Sequence, residues 1–195
     1  MTLYELIISR RSIRQFRPEP LARPVLEKIV NAGRLAPSAS NLQPLEFIVV
    51  DDERVRREIF SFVRWADYIS PAGNPLPGQE PTAYVIPLVN LGVRRSGFDL
   101  DLGAAVENMI LAAWEEGIGS CWIAALDVKG VSRAIGLREN FRLTCALALG
   151  YPAETPVVED FGGSVKYWKE DDGVLHVPKK KLADILHYNR VRSGT

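Results

Sequence analysis

Three arginines crowd one short stretch near the start of the chain, RRSIRQF at residues 10–16. An extended backbone alternates its side chains, so Arg10, Ser12 and Arg14 face one way while Arg11 and Ile13 face the other. Two guanidiniums flanking a hydroxyl make a compact anion cradle, because the planar guanidinium fork binds a phosphate or a carbonyl edge in bidentate fashion. The plainer role for such arginines is to cap the preceding helix and form surface salt bridges. A second polar patch lies in APSASNLQP, residues 36–44, where Ser38, Ser40, Asn41 and Gln43 stand directly before a strand. Such side chains commonly hydrogen-bond the backbone of turns. They equally suit the polar edge and the hydroxyl chain of a ligand.

Other chemistries find little support. Lys+Arg is 24 and Asp+Glu is 24, so the net charge is zero, whereas a general binder of nucleic acid or acidic membrane carries a basic excess. The run Lys179-Lys180-Lys181 reads on its own as a solvated face. Gly117-Ile118-Gly119 precedes a strand and lacks a third glycine, so it reads as a helix-to-strand turn, not as a dinucleotide fingerprint. There is no P-loop and no HExxH motif. The only histidines are His176 and His187, and no cysteine pair has metal-ligand spacing, so no metal site is expected. No serine sits in a G-x-S-x-G elbow. With no acid–base or nucleophile constellation, an enzyme built from this chain would take its chemistry from a cofactor.

The elements that must position these residues follow from periodicity. A length of 195 residues with 47% hydrophobic residues suits a single domain. The composition turns polar after Pro152, which divides the domain into a core of about 1–152 and an arm of about 153–195. Residues 2–9 read as a helix with Thr2 and Glu5 in a capping box. SIRQF reads as extended, and residues 22–35 as a helix with Pro24 in its first turn. LEFIVVDD is a strand, 53–63 a helix, and TAYVIPLVN a strand whose Pro87 suggests an edge or a bulge. Between them residues 64–82 hold four prolines, a segment that is either a functional lid or disordered. The 99–116 helix is apolar nearly all round, which places it in a core or a subunit interface. GSCWIAAL is a third strand, VKGVSRAIGL a short helix, RLTCALALGYP a fourth strand, and 182–189 a final helical turn or two. An arm without its own core packs on something, and a partner subunit is the natural candidate. Cys121 and Cys145 lie in apolar runs, which suggests reduced thiols and a cytoplasmic setting. The N-terminus does not read as a signal peptide, and no apolar run approaches the ~20 residues of a membrane span.

The chain resembles the nitroreductase family of FMN-dependent oxidoreductases. RRSIRQF is similar to that family's N-terminal flavin motif, PSASNLQP to its P-S-x-x-N-x-Q-P loop, and GIGSCWIAAL to its strand beside the flavin ring. ALGYP and the arm ending HVPKKKLADILHYNR match its C-terminal pattern, and the five pieces keep the family's order from residue 3 to 190. The resemblance implies an α+β fold: a mostly antiparallel central sheet flanked by helices, with a C-terminal arm exchanged between the subunits of a homodimer. It implies two FMN molecules at the dimer interface, each contacted by both subunits.

Carried over, Arg10 and Ser12 hold the FMN phosphate and ribityl end with Arg11 nearby, and Lys179 and Lys181 match basic phosphate-contacting positions. Arg14 reaches the pyrimidine end near N1 and the C2 carbonyl. Pro37, Ser38, Ala39 and Asn41 approach the ring from the partner, Gln43 supports that loop, and Ala124 presents its backbone N–H to flavin N5 with Ala125 beside it. The implied catalytic positions are Arg14 and Ala124. The implied reaction is ping-pong hydride transfer, from NADH or NADPH to a nitroaromatic, a quinone or a related small acceptor. A member with specialised flavin chemistry, such as a reductive dehalogenase or oxidase, and a non-catalytic FMN-binding module are the alternatives. Trp65, Tyr68 and Phe98 are candidates to line the acceptor pocket, without a motif match.

Overall fold

Local rules set most of the element ends. In the computed structural model, which describes residues 1–191, α1 (Leu3–Ser9) starts with the capping box expected of it. The Thr2 hydroxyl accepts from the Glu5 N–H at 3.2 Å and the Glu5 carboxylate accepts from the Thr2 N–H at 2.7 Å. α2 (Arg23–Arg34) carries its proline in the first turn. β1 (Leu45–Val50) runs into α3 (Glu53–Phe62), which Asp52 caps by accepting from the Val55 N–H at 3.0 Å. β2 (Ala83–Asn90), α4 (Asp99–Glu115), β3 (Gly119–Ile123), α5 (Val128–Ala134), β4 (Phe141–Leu143) and β5 (Ala146–Gly150) complete the first of two units, Met1–Glu154.

The central sheet is antiparallel throughout, in the order β1-β2-β5-β3, with β4 also paired to β2. Because strand side chains alternate, β2 feeds two cores. Tyr84, Ile86 and Leu88 join Ile59 of α3 and Val131 of α5 on one face. Ala83 and Val85 join Leu26 and Ile29 of α2 and Val106 and Met109 of α4 on the other. With both faces covered, β2 and β5 read as nearly unbroken apolar runs. This is the α+β architecture that the sequence indicates. Within this unit the rest of α4 is less covered: Leu100 is 85% exposed. Among the described residues no helix is long and apolar enough to cross a membrane.

Pro87 meets the expectation of an edge or a bulge, and the fourth strand departs from expectation beside it. Pro87 lies inside the central strand β2 at a bulge: between the Val85–Leu147 and Leu88–Leu143 pairs, Ile86 and Pro87 stand opposite the three residues 144–146. Ala83–Val85 pair with β5 and Leu88–Asn90 with β4, whereas Ile86 and Pro87 have a register partner only in β1. Proline has no N–H to give a ladder, and RLTCALALGYP accordingly breaks into two strands at Thr144 and Cys145, beside that point. The 64–82 segment is neither a free lid nor shapeless. It contains a 3₁₀ turn at Asp67–Ile69 and is pinned by hydrogen bonds at both ends. The Arg64 N–H donates to the Ala125 carbonyl at 2.8 Å and the Phe16 N–H to the Gln79 carbonyl at 3.0 Å. Between these, the buried Gln15 amide donates to the Asn74 carbonyl at 2.9 Å and accepts from the Leu76 N–H at 2.8 Å.

RRSIRQF is extended, and two glycines let it lie close to the sheet. Ser12 bridges Ser120 of β3 in parallel, with the Ile13 N–H on the Ser120 carbonyl at 2.9 Å. Phe16 then bridges Pro152 in antiparallel fashion. Gly119 and Gly150 are directly paired across β3 and β5. A Cβ on Gly119 would stand 2.8 Å from the Ile13 Cβ, and one on Gly150 would stand 2.8 Å from the Phe16 ring. Ile13 and Phe16 are fully buried there.

The second unit begins at Thr155. It holds β6 (Val157–Asp160), β7 (Trp168–Lys169), β8 (Leu175–Lys179) and the single helical turn α6 (Leu182–Ile185). β6 pairs with β8 in parallel and β7 pairs with β8 antiparallel. The sequence marks this region only as a polar arm, because strands this short carry almost no periodic signal. His176 of β8 bonds Glu159 at 2.7 Å and stacks on Trp168.

Gly119→Ala forces a methyl into the Ile13 side chain, so a loss of about 2 kcal/mol is expected from overpacking. Urea denaturation of the variant beside the parent checks this; an unchanged midpoint would contradict the close packing described.

Candidate functional site

The site residues of the N-terminal segment owe their place to the glycine platform. Ile13 presses onto Gly119, and the neighbouring half-buried Arg14 lies beside the Cys121 thiol of β3 and acts on it by its charge. Arg10 stands 3.8 Å from Glu107 of α4, both partly exposed. Ser12 is half-buried between them. Arg11 folds back instead: its Nη1 donates to the carbonyls of Ile8 and Arg10, each at 2.7 Å. Arg11 thus caps the C-terminal end of α1. Burial first, and then the charge of Arg10, hold its pKa below the usual arginine value. Arg10, Ser12 and Arg14 therefore lie along one segment, with Arg11 committed elsewhere.

β3 carries the next pieces. Ala124 is exposed and is the first residue beyond the Ile123–Ala146 pair that ends the β3–β5 ladder. The Ala125 carbonyl holds Arg64, as above. Cys121 and Cys145 are buried free thiols on opposite faces of the sheet. Burial pushes the Cys121 thiol up; the Arg14 charge pulls against it, the Glu154 charge adds to it, and the Arg14 hydrogen bond pulls down. Burial also pushes Cys145 up, and the neighbouring Trp122 and Thr144 side chains work against it.

The PSASNLQP loop forms a second site. It makes a 3₁₀ turn at Ala39–Asn41 with Ser40, Asn41 and Gln43 at φ of 53°, 54° and 50°. Left-handed backbone at residues other than glycine is strained and persists only where neighbours enforce it. The Ser38 hydroxyl accepts from the Gln43 N–H at 3.0 Å, and the Gln43 amide donates to the Asn41 carbonyl at 3.2 Å. The outer anchor is Asp101 in the first turn of α4, 5% exposed. It accepts from the Ala39 N–H at 3.1 Å and from Arg94 at 2.9 Å. A cleft of about 170 Å³ lies here, lined by residues that include Pro37, Ser38, Gln43 and Asp101.

Asp101 escapes a reading of motifs. Its signal is positional: it stands four residues before Ala105 and eight before Met109 on the buried stripe of α4, where an acid requires a partner. Of the three aromatics proposed for the acceptor pocket, Trp65 and Phe98 are core residues, each 4% exposed. Trp65 packs on Phe60 at 5.9 Å between ring centroids, and Phe98 lies under Arg142. Only Tyr68, 54% exposed, presents a surface. Lys179 and Lys181 are exposed residues of the second unit; Lys179 closes β8, and the Lys181 ammonium stands 3.4 Å from Asp160.

Fold and residues together define a class. The nitroreductase family model matches residues 7–151, and the chain belongs to the nitroreductase family. A protein of Archaeoglobus fulgidus, described as an NADH dehydrogenase/NAD(P)H nitroreductase, is 32% identical over 77% of this chain and 85% of its own length. The NADPH-flavin oxidoreductase of Vibrio harveyi is 29% identical over 80% of this chain and 68% of its own. A nitroreductase from Desulfovibrio desulfuricans, solved in complex with FMN, superposes with a TM-score of 0.70 at 23% identity over 98% of each chain.

Two outcomes follow from this geometry. Asp101→Ala strands the half-buried Arg94 and removes the acceptor of the Ala39 N–H, so a loss of about 3 kcal/mol is expected; thermal and urea unfolding measure it. The thiols give a pH dependence. Their folded pKa values lie above the unfolded one, so their stabilisation is complete below about pH 8.5 and declines as pH rises past it. The urea midpoint should therefore fall between neutral and about pH 10, while a thiol reagent labels neither cysteine before unfolding.

Proposed function

We propose that the chain is an FMN-dependent oxidoreductase that takes electrons from NADH or NADPH and passes them to a nitroaromatic, a quinone or a related small acceptor by a ping-pong route. It acts in the cytoplasm as a homodimer whose arms are exchanged, with the single domain completed by the residues beyond about 152. The observation that carries this reading is the extended segment from Arg10 to Arg14, bridged to β3 at Ser12–Ser120, with Arg14 beside Cys121, three residues before Ala124.

The donor set fits FMN. Arg10 and Ser12 offer charge-assisted and hydroxyl donors to a phosphate, joined by Lys179 and Lys181. Arg11, its Nη1 already committed to α1, contributes charge nearby. Arg14 is a half-buried cation suited to the electron-accepting edge of a flavin. Bound FMN supplies a two-electron carrier that exchanges hydride with nicotinamide and acceptor. Arg14 stabilises the negative charge that reduction places at the N1 and C2 carbonyl edge, which raises the affinity for electrons. Ala124, with Ala125 behind it, offers a backbone donor just past the ladder. Pro37, Ser38, Ala39, Asn41 and Gln43, on the loop that Asp101 anchors, line the ring from the other subunit. The relative from Vibrio harveyi, whose name includes both NADPH and flavin, supports the cofactor pair.

The purified protein is expected to be yellow and to bleach on anaerobic titration with NADH or NADPH. A colourless protein that cannot be reconstituted with FMN contradicts the proposal. Arg14→Ala should keep FMN bound yet slow NAD(P)H oxidation about 100-fold, read by stopped-flow absorbance.

A further inference from the structure

We infer that Glu154 is the positioning residue for Arg14 and sets the charge that Arg14 presents at the site. The inference rests on the proposed role of Arg14 and extends it to a residue outside every motif of the sequence. After β5 the chain turns back along the arginine segment. The Arg17 N–H donates to the Tyr151 carbonyl and the Ala153 N–H to the Gln15 carbonyl, each at 2.8 Å. That pairing delivers the Glu154 side chain to the opposite end of the segment. Its Oε1 accepts from the Arg14 N–H at 2.5 Å and from the Gln15 N–H at 3.3 Å.

One carboxylate oxygen on two successive N–H groups fixes the backbone from which the Arg14 side chain departs. Charged acceptors make the stronger hydrogen bonds, and this one is shielded: Oε2 of Glu154 is buried. The same carboxylate acts electrostatically. Its charge and that of Arg14 act on the buried Cys121 thiol with opposite signs, so guanidinium, carboxylate and thiol are neighbours. A neutral amide would hold the two N–H groups. The carboxylate also offsets part of the Arg14 charge, so Glu154 makes the site a weaker electron attractor than Arg14 alone would. Gln15, whose backbone Glu154 holds, carries the 74–76 segment on its side-chain amide. The same anchor therefore places the arginine and the Pro-rich segment together.

Two variants separate position from charge. Glu154→Gln keeps an acceptor for the two N–H groups and removes the charge; Glu154→Ala removes both. Hydrogen exchange on the FMN-free protein reads position without any cofactor. The Arg14 and Gln15 amides are expected to exchange about tenfold faster in Glu154→Ala and near the parental rate in Glu154→Gln, with unchanged far-UV circular dichroism in both. Spectroelectrochemistry of the FMN-loaded proteins reads charge: the midpoint potential of Glu154→Gln should be more positive than that of the parent. Fluorescence titration should show FMN binding weakened about tenfold in Glu154→Ala and little changed in Glu154→Gln. Parental exchange rates in Glu154→Ala overturn the positioning role. A potential that stays or falls in Glu154→Gln overturns the electrostatic role. A parent that binds no FMN overturns the proposed function instead, and the exchange result then stands by itself.

Discussion

The close approach of residues 12–16 to the sheet is the constraint on which the rest depends. Ile13 and Phe16 occupy the volume that side chains on Gly119 and Gly150 would fill. Core interiors are packed too densely for that volume to be shared. With Ile13 and Phe16 buried against the glycines, the half-buried Arg14 between them lies beside Cys121, the middle residue of β3. The paired glycines thus fix the backbone that carries the cation. They also explain why GIGSCW and ALGYP accompany RRSIRQF in one chain: the three stretches are one structural unit, joined by the Ser12–Ser120 and Phe16–Pro152 bridges.

The polar half of the site is held by shielded charges. Asp101 ties the strained 38–43 turn to α4 and to Arg94, and Glu154 ties Arg14 and Gln15 to the end of β5. Each carboxylate accepts from backbone N–H groups that no strand or helix partner takes, which turns two irregular segments into defined surfaces. Such arrangements suit a site whose chemistry belongs to a cofactor: the protein's part is to hold donors still and to fix the local charge.

Much of this was legible in the residues. The capping box of Thr2 and Glu5, the first-turn Pro24, the Asp52 cap and the 3.6-residue stripes of α2 and α4 are local signals, and the helices follow them closely. The buried place of Ile13 within the arginine segment was also legible, because an apolar residue among cations has only the core to pack into. Arg11 was the weakest member of the cluster by side-chain alternation, and in the structure it caps α1. Pro87 marked the bulge, but a missing N–H does not say which neighbouring strand will be interrupted. Trp65 and Phe98 misled because an aromatic side chain in a loop gives no sign of whether it turns inward.

By itself the sequence determined the helices, the strand runs, the extended arginine segment and the family, since each rests on short-range periodicity, capping chemistry or ordered motifs. Tertiary structure alone decided that the fourth strand splits beside Pro87, that Gln15 pins residues 74–76, and that Asp101 takes the Ala39 N–H and Glu154 those of Arg14 and Gln15. Those outcomes depend on pairs far apart in the chain: Glu154 and Arg14 are 140 residues apart, Asp101 and Ala39 are 62. No local pattern encodes such a pair, because the free energy that selects it comes from burying both partners where water cannot compete.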